Sequence, residues 1–205
     1  MLLPDSYTTI ASNHSAEIKE KSSRFIAFAF PVTTDEQAKK QLADLKKEHH
    51  AAAHHCWAYV LEADASLQKS SDDREPSGTA GRPILRAILS AGFTNVMVVV
   101  VRYFGGKLLG VPGLIAAYGQ AAEAVLLIAP KKQKQVRYIY EVLMSYEHQH
   151  HLIRLLKQDE LKFYPTIQGE VEGIIFEVSP SMRDKIIDTI KKTLLVEPKN
   201  IADEK

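Results

Sequence analysis

The stretch VVVVRYFGGKLLGVPGLIAAYG, residues 98–119, decides how the chain folds. Its first part completes the apolar run NVMVVVV, residues 95–101, the pattern of a strand covered on both faces. Gly105 and Gly106 then break the strand. Beyond them the sequence predicts a helix over about residues 112–129, with Pro112 suited to its first turn. Such a unit has two uses. Adjacent glycines let main-chain amides converge on an anion, and a helix N-terminus adds about half a positive charge. Arg102 and Lys107 would strengthen a seat built on Gly105 and Gly106. Alternatively, the turn simply lets strand and helix pack closely. It is not a nucleotide-binding P-loop. Gly105 and Gly110 have the required separation, but Val111-Pro112 stands where Lys and Ser or Thr are needed.

Upstream, residues 7–32 are strand-like, and SSRFIAFAFPV closes them at Pro31. Thr34 and Gln37 stand at capping-box spacing ahead of a helical stripe of Ala38, Leu42 and Leu45. HHCWAYVL, residues 54–61, reads as a strand, and residues 62–81 as a long polar loop. Ile84, Leu85, Ile88 and Leu89 share a face of a short helix that Gly92 ends. Downstream the character changes at Pro130. Residues 1–130 are expected to form one domain, 131–134 a basic linker, and 135–205 a second domain. There the period becomes two: Val136, Tyr138, Tyr140, Val142, Met144 and Tyr146 alternate with polar residues, as a core-facing strand would. A helix at about 147–158, two strands, a helix opened by Ser179-Pro180 and a closing strand complete the order βαββαβ. The fold class is α+β, with a ferredoxin-like sandwich as the second domain.

The chain has 205 residues, enough for one or two domains and for a core that needs no disulfide or metal. Lys and Arg total 26 against 25 for Asp and Glu, so a nucleic-acid footprint must be a local patch. The single cysteine, Cys56, excludes an internal disulfide. No uninterrupted apolar run reaches the ~20 residues of a membrane span. MLLPDSYTTI lacks the basic region and apolar core of a secretory leader. A cytoplasmic protein without membrane contact is expected.

The loop SDDREPSGTAG, residues 71–81, brings together Asp72, Asp73, Glu75, Ser77, Gly78 and Thr79. The three carboxylates could hold a divalent cation, and the hydroxyls could lie near a reacting group. The order is neither an EF-hand loop nor a nucleophile elbow, and all these residues also form turns. His54 and Cys56 share one strand face but are too few for a zinc site. No metal or cofactor is expected. Lys131, Lys132, Lys134 and Arg137 form the one dense basic run.

HHCWAY at 54–59, SDDREPSGTAGRPIL at 71–85 and VVVVRYFGGKLLGVPGLIAAYG at 98–119, with KSSRFIAFAF at 21–30, resemble the signature of the YigZ/IMPACT family. The resemblance covers residues 1–130 by motif and 135–205 more loosely. It implies a first domain like the second domain of a ribosomal protein, as in elongation factor G, and a ferredoxin-like second domain similar to another module of that factor. Eukaryotic members are linked to translational control through a binding partner and carry an additional N-terminal interaction domain; because this chain starts at the shared domain, that partner interaction is not expected to carry over. Arg74 stands where the family commonly has glycine, Pro112 where it has glycine, and Ala116 where it has arginine. The resemblance implies a protein that binds RNA or the ribosome and regulates translation. Arg82, Arg86, Arg102 and Lys107 would contact phosphate, and the 131–137 cations would extend the track. The alternative is a hydrolase-like or small-ligand-binding protein, with the acidic loop and the Gly105-Gly106 turn around one cleft. The residues favour a binder over an enzyme.

Overall fold

A computed structural model, describing residues 3–204, divides the chain into two compact units. One is Tyr7–Gln133; the other takes in residues 134–204 together with 3–6. Up to the border crossed by β1 and β7, the elements run β1 (Ser6–Ile10), β2 (His14–Glu20), β3 (Ser23–Pro31), α1 (Asp35–Glu48), β4 (His54–Leu61), β5 (Leu67–Ser71), α2 (Gly81–Ser90), β6 (Val96–Tyr103), α3 (Gly110–Ile128) and β7 (Lys131–Gln135). Five of the strands form an antiparallel sheet in the order β2-β3-β6-β4-β5.

The valine run is therefore the central strand, and side-chain alternation divides it between two cores. Val96, Val98 and Val100 pack with Phe25, Cys56, Ile84, Leu114 and Tyr118 beneath α2 and α3. Met97, Val99 and Val101 pack with Phe30, Tyr59, Ala38 and Leu45 beneath α1. Helices on both faces explain why β6 is apolar at every position up to Val101. At the start of α1 the Thr34 hydroxyl accepts the Gln37 N–H at 3.2 Å, and Gln37 Oε1 accepts the Thr33 N–H at 2.8 Å. This box reaches back one residue further than its spacing predicts.

Three segments differ from the sequence reading. Residues 7–32 form three strands rather than one segment. The β2–β3 hairpin turns at Lys21 and Ser22, with φ of 44° and 72°. Asn-Gly usually marks such a turn, so Lys-Ser gives no warning of it. The long polar loop contains β5, a mostly exposed edge strand held by its ladder to β4. The expected linker 131–134 lies in β7, which pairs with β1. Main-chain bonds hold this ribbon, including Ala11 N–H to Pro130 O at 2.8 Å, so its polar side chains do not oppose strand formation. In α3 an 18-residue stretch has mean hydropathy 1.5, long and apolar enough to cross a bilayer by composition. Its Leu114, Ala117, Tyr118, Ala121 and Val125 instead fill the first core. Gln120 and Glu123 hide it from a search for uninterrupted runs.

The second unit runs β8 (Arg137–Leu143), α4 (Tyr146–Gln158), β9 (Phe163–Gln168), β10 (Val171–Val178), α5 (Pro180–Leu194) and β11 (Lys199–Glu204), with sheet order β11-β8-β10-β9. Val142, Met144, Leu152, Leu156, Phe176, Ile186 and Ile190 form its core, with Tyr138 and Tyr140 packed against it. Tyr146, expected on the same face, lies exposed at the start of α4. Asp5 caps α5, accepting the Ser181 N–H at 2.9 Å and its hydroxyl at 2.6 Å.

The glycine turn is fixed by a backbone contact. A Cβ on Gly105 would lie 2.1 Å from the Ser22 carbonyl carbon and oxygen, whereas one on Gly106 meets nothing. Gly105→Ala should destabilise the first unit by about 1–3 kcal/mol or more through overpacking. Gly106→Ala should cost only the ~1–2 kcal/mol of a left-handed residue, here at φ 82°. Urea unfolding of the two variants checks the order.

Candidate functional site

Strand register assembles the site. Arg102, at the end of β6, pairs with Phe25 on β3 and His54 on β4, on the face covered by α2 and α3. A guanidinium at the edge of a core needs a counter-charge. Glu75 supplies it from the loop before α2. Arg102 Nη1 donates to Glu75 Oε1 at 2.6 Å, with the two side chains 6% and 4% exposed. The Tyr118 hydroxyl, from α3, donates to the same oxygen at 2.8 Å. Arg102 also lies over the rings of Phe25 and Phe104, at 5.4 and 5.5 Å, while its Nε has no hydrogen-bond partner. His54 Nε2 lies 3.8 Å from Glu75 Oε1, and its Nδ1 lies 2.8 Å from the Asp73 carbonyl. A carbonyl only accepts, so Nδ1 carries a proton.

The acidic loop does not converge on a cation. Asp72 accepts the amides of Gly78, Ala80 and Gly81 at 2.9, 3.0 and 2.8 Å and so caps α2, whose own N-cap residue Ala80 cannot. Burial pushes the Asp72 carboxyl up, but these three amides more than offset it and hold it below the ordinary 3.8. Asp73 accepts the His55 N–H at 2.7 Å. Glu75 turns to Arg102. Among the described residues, no three His, Cys, Asp or Glu side chains gather as a metal site. The Thr79 hydroxyl donates to the Pro76 carbonyl at 2.7 Å, and Ser77 is exposed. Arg74 sits at φ 72°, the backbone region glycine tolerates best. Cys56 donates to the Asp72 carbonyl at 3.0 Å, and burial pushes its thiol up, away from a thiolate.

In the glycine turn one amide and one cation of the expected anion seat are engaged within the fold. The Gly105 N–H donates to Ser23 Oγ at 3.2 Å, and Arg102 is paired inward with Glu75 rather than offered to phosphate. Gly106 and Lys107 are exposed at the turn. Arg82 and Arg86 are exposed one turn apart on α2. Lys131 is exposed and lies over the Phe93 ring at 5.6 Å; Lys132 is exposed and Lys134 half-buried. Arg137 donates to its neighbour's carbonyl, Val136 O, at 2.9 Å.

A cavity of about 480 Å³ lies beside the ion pair, with His54, Glu75, Arg102, Phe104, Leu108 and Val111 among its lining. The acidic loop and the end of the glycine-rich segment thus meet around one concavity. Glu75 and Arg102 were legible as candidates, though in separate sites. His54 read only as half of an incomplete zinc pair, and nothing in the sequence pattern pointed to Phe104 or Leu108. A signal for Tyr118 was available: a tyrosine on the buried face of a helix needs a partner for its hydroxyl.

Glu75→Ala strands the Arg102 guanidinium without its counter-charge and should cost about 3–5 kcal/mol in chemical denaturation. Asp72→Ala should cost about 1–2 kcal/mol at neutral pH, the size of a missing helix cap. Because the folded Asp72 carboxyl is depressed, its contribution is full above the ordinary value of 3.8 and disappears as pH falls through the lower folded value. Unfolding curves of wild type and Asp72→Ala should therefore converge in acid.

Comparison with known proteins places this geometry in a family. The Impact N-terminal domain matches residues 21–126. IMPACT family member YvyE of Bacillus subtilis is 39% identical over 136 residues, 66% of this chain and 63% of that protein. IMPACT family member YigZ of Escherichia coli is 43% identical over 108 residues, 52% of this chain and 53% of that protein. The chain spans less than two thirds of the length of these curated relatives. A hypothetical protein of known crystal structure aligns with a TM-score of 0.70 at 28% identity, over 98% of this chain and 100% of that one. The matched domain runs from the Lys21–Ser22 turn almost to the end of α3, enclosing the ion pair, the capped loop and the cavity, and the chain belongs to the IMPACT family.

Proposed function

We propose that the chain acts in the regulation of translation, in the cytoplasm, as a binder of RNA phosphate rather than as an enzyme. Translation is the process that the family resemblance implies. The observation that carries the binding reading is the outer side of α2. Arg82 and Arg86 are exposed there, α2 contains no acidic residue, and among the described residues no carboxylate is in salt-bridge contact with either arginine, though the Arg82 charge helps to hold the Asp72 carboxyl down. Lys131 borders a groove with Ala87 and Ser90 of the same helix, so the cations continue from α2 onto β7, where Lys132 is also exposed. Glu123 is the one carboxylate lining that groove. Exposed, unpaired cations are free to displace counterions from a phosphate backbone, as the buried Arg102 is not. Lys107 is a further exposed cation of the first unit.

The antiparallel order β11-β8-β10-β9 of the second unit supports a ferredoxin-like sandwich, and its Lys134 and Arg137 would add phosphate partners of their own. Likeness of the first unit to a ribosomal-protein domain, as in elongation factor G, is an analogy of fold that agrees with an RNA partner.

The test is single-stranded RNA binding by fluorescence anisotropy from low to physiological salt. Wild type should bind with a steep salt dependence. The Arg82→Ala/Arg86→Ala double variant should bind more weakly at every sequence. Its log–log salt slope should be shallower by ~0.7 for each phosphate it no longer neutralises. Absence of wild-type binding at low salt removes the proposal.

A further inference from the structure

The cavity beside the ion pair has a composition that the α2 cations do not explain. Its volume, about 480 Å³, falls in the range of small-molecule sites. Phe104, Leu108, Leu109, Val111 and Leu114 make its walls apolar. At the mouth, Leu108 is 85% exposed, with Phe104 at 50% and Val111 at 51%. Such a cluster of large apolar side chains in water marks a surface that something covers.

Polar groups converge at its inner end. Arg102 is almost fully buried, and the Phe25 and Phe104 rings lie against its faces, so only the guanidinium edge can bond. Glu75 takes Nη1, and Nε, on the other edge of the guanidinium with Nη2, is buried without a partner. The start of α3 enters the same cavity through Gly110 and Val111. No side chain caps this 19-residue helix, and its first turn holds no acidic residue. Its free amides therefore present a positive end to the cavity.

We infer that this cavity binds a small organic acid, a carboxylate on an apolar chain. The carboxylate meets the Arg102 edge and the α3 N-terminus, and the chain lies along Phe104, Leu108 and Val111. Charge selects a carboxylate over a phosphate. Glu75 already cancels the Arg102 charge, which leaves the partial charge of the helix end to be balanced, and a dianion would face Glu75 across a poorly solvated space. The site is independent of the RNA reading, because it uses none of the α2 or β7 cations.

Decanoate, below its micelle concentration, is the probe, with decanol and decyl phosphate as controls. Calorimetry on the full chain should show saturable one-site binding of decanoate, and binding weaker by about tenfold for both controls, the worth of one charged hydrogen bond. In nitrogen-15 NMR the Arg102 Nε–H and the Gly110 and Val111 amides should shift. Leu108→Glu puts a carboxylate at the mouth on a side chain that the core does not use. It should weaken decanoate by about tenfold at unchanged melting temperature. The Arg82→Ala/Arg86→Ala variant should bind decanoate as wild type does, so failure of the RNA reading leaves this site intact. Decanol binding as tightly as decanoate, NMR shifts confined to other residues, an unaffected Leu108→Glu variant, or saturation by uridine monophosphate in place of decanoate would each overturn the inference.

Discussion

A carboxylate and a guanidinium, both almost wholly shielded from water, meet where the central strand ends. Glu75 comes from the loop before α2, Arg102 from β6, and Tyr118, which donates to the same carboxylate oxygen, from α3. Three elements distant in sequence are thereby tied at one atom. Each group alone would be costly to bury, and the geometry is tolerable only because each satisfies another. The arrangement also turns the acidic loop inward: with Glu75 held by Arg102 and Asp72 holding the start of α2, the loop is a brace for the helix layer. Its residues resemble a catalytic cluster in sequence because carboxylates and turn formers serve both ends.

The same constraint shapes the neighbouring glycine turn. With Arg102 fixed at the end of β6, the chain must leave the sheet beside the β2–β3 hairpin. There Gly105 lies against the backbone of Ser22 too closely for any side chain. Its amide is taken by Ser23. Positive charge usable by a partner in solution therefore lies not on Arg102 but on Lys107, the exposed arginines of α2 and the lysines of β7. The polar end of the cavity is of a different kind: a paired arginine with bonding capacity left over, and a helix start that no side chain caps.

Much of the fold could be read from periodicity. The unbroken valines required a strand covered on both faces, and α1 and the α2–α3 pair supply the covers. Thr34 and Gln37 announced the start of α1, and the alternation from Val136 announced a strand facing a core. The failures have a common cause. Lys21-Ser22 adopts a turn that its residue types do not advertise, and β5 and β7 are polar strands held by main-chain bonds. A ladder that needs no apolar face leaves no hydrophobic signal.

Hydrophobic order along the chain, set by residues a few positions apart, determined by itself which apolar segments are strands and helices, where the character changes near Pro130, and which family the motifs resemble. Pairing between distant groups was decided only by tertiary structure. Composition names Arg102, Glu75 and His54 without saying that register sets Arg102 beside His54, or that Glu75 crosses to meet them. Whether a cation faces water or a buried carboxylate depends on which strands lie side by side, and that is a property of the folded sheet rather than of any one segment.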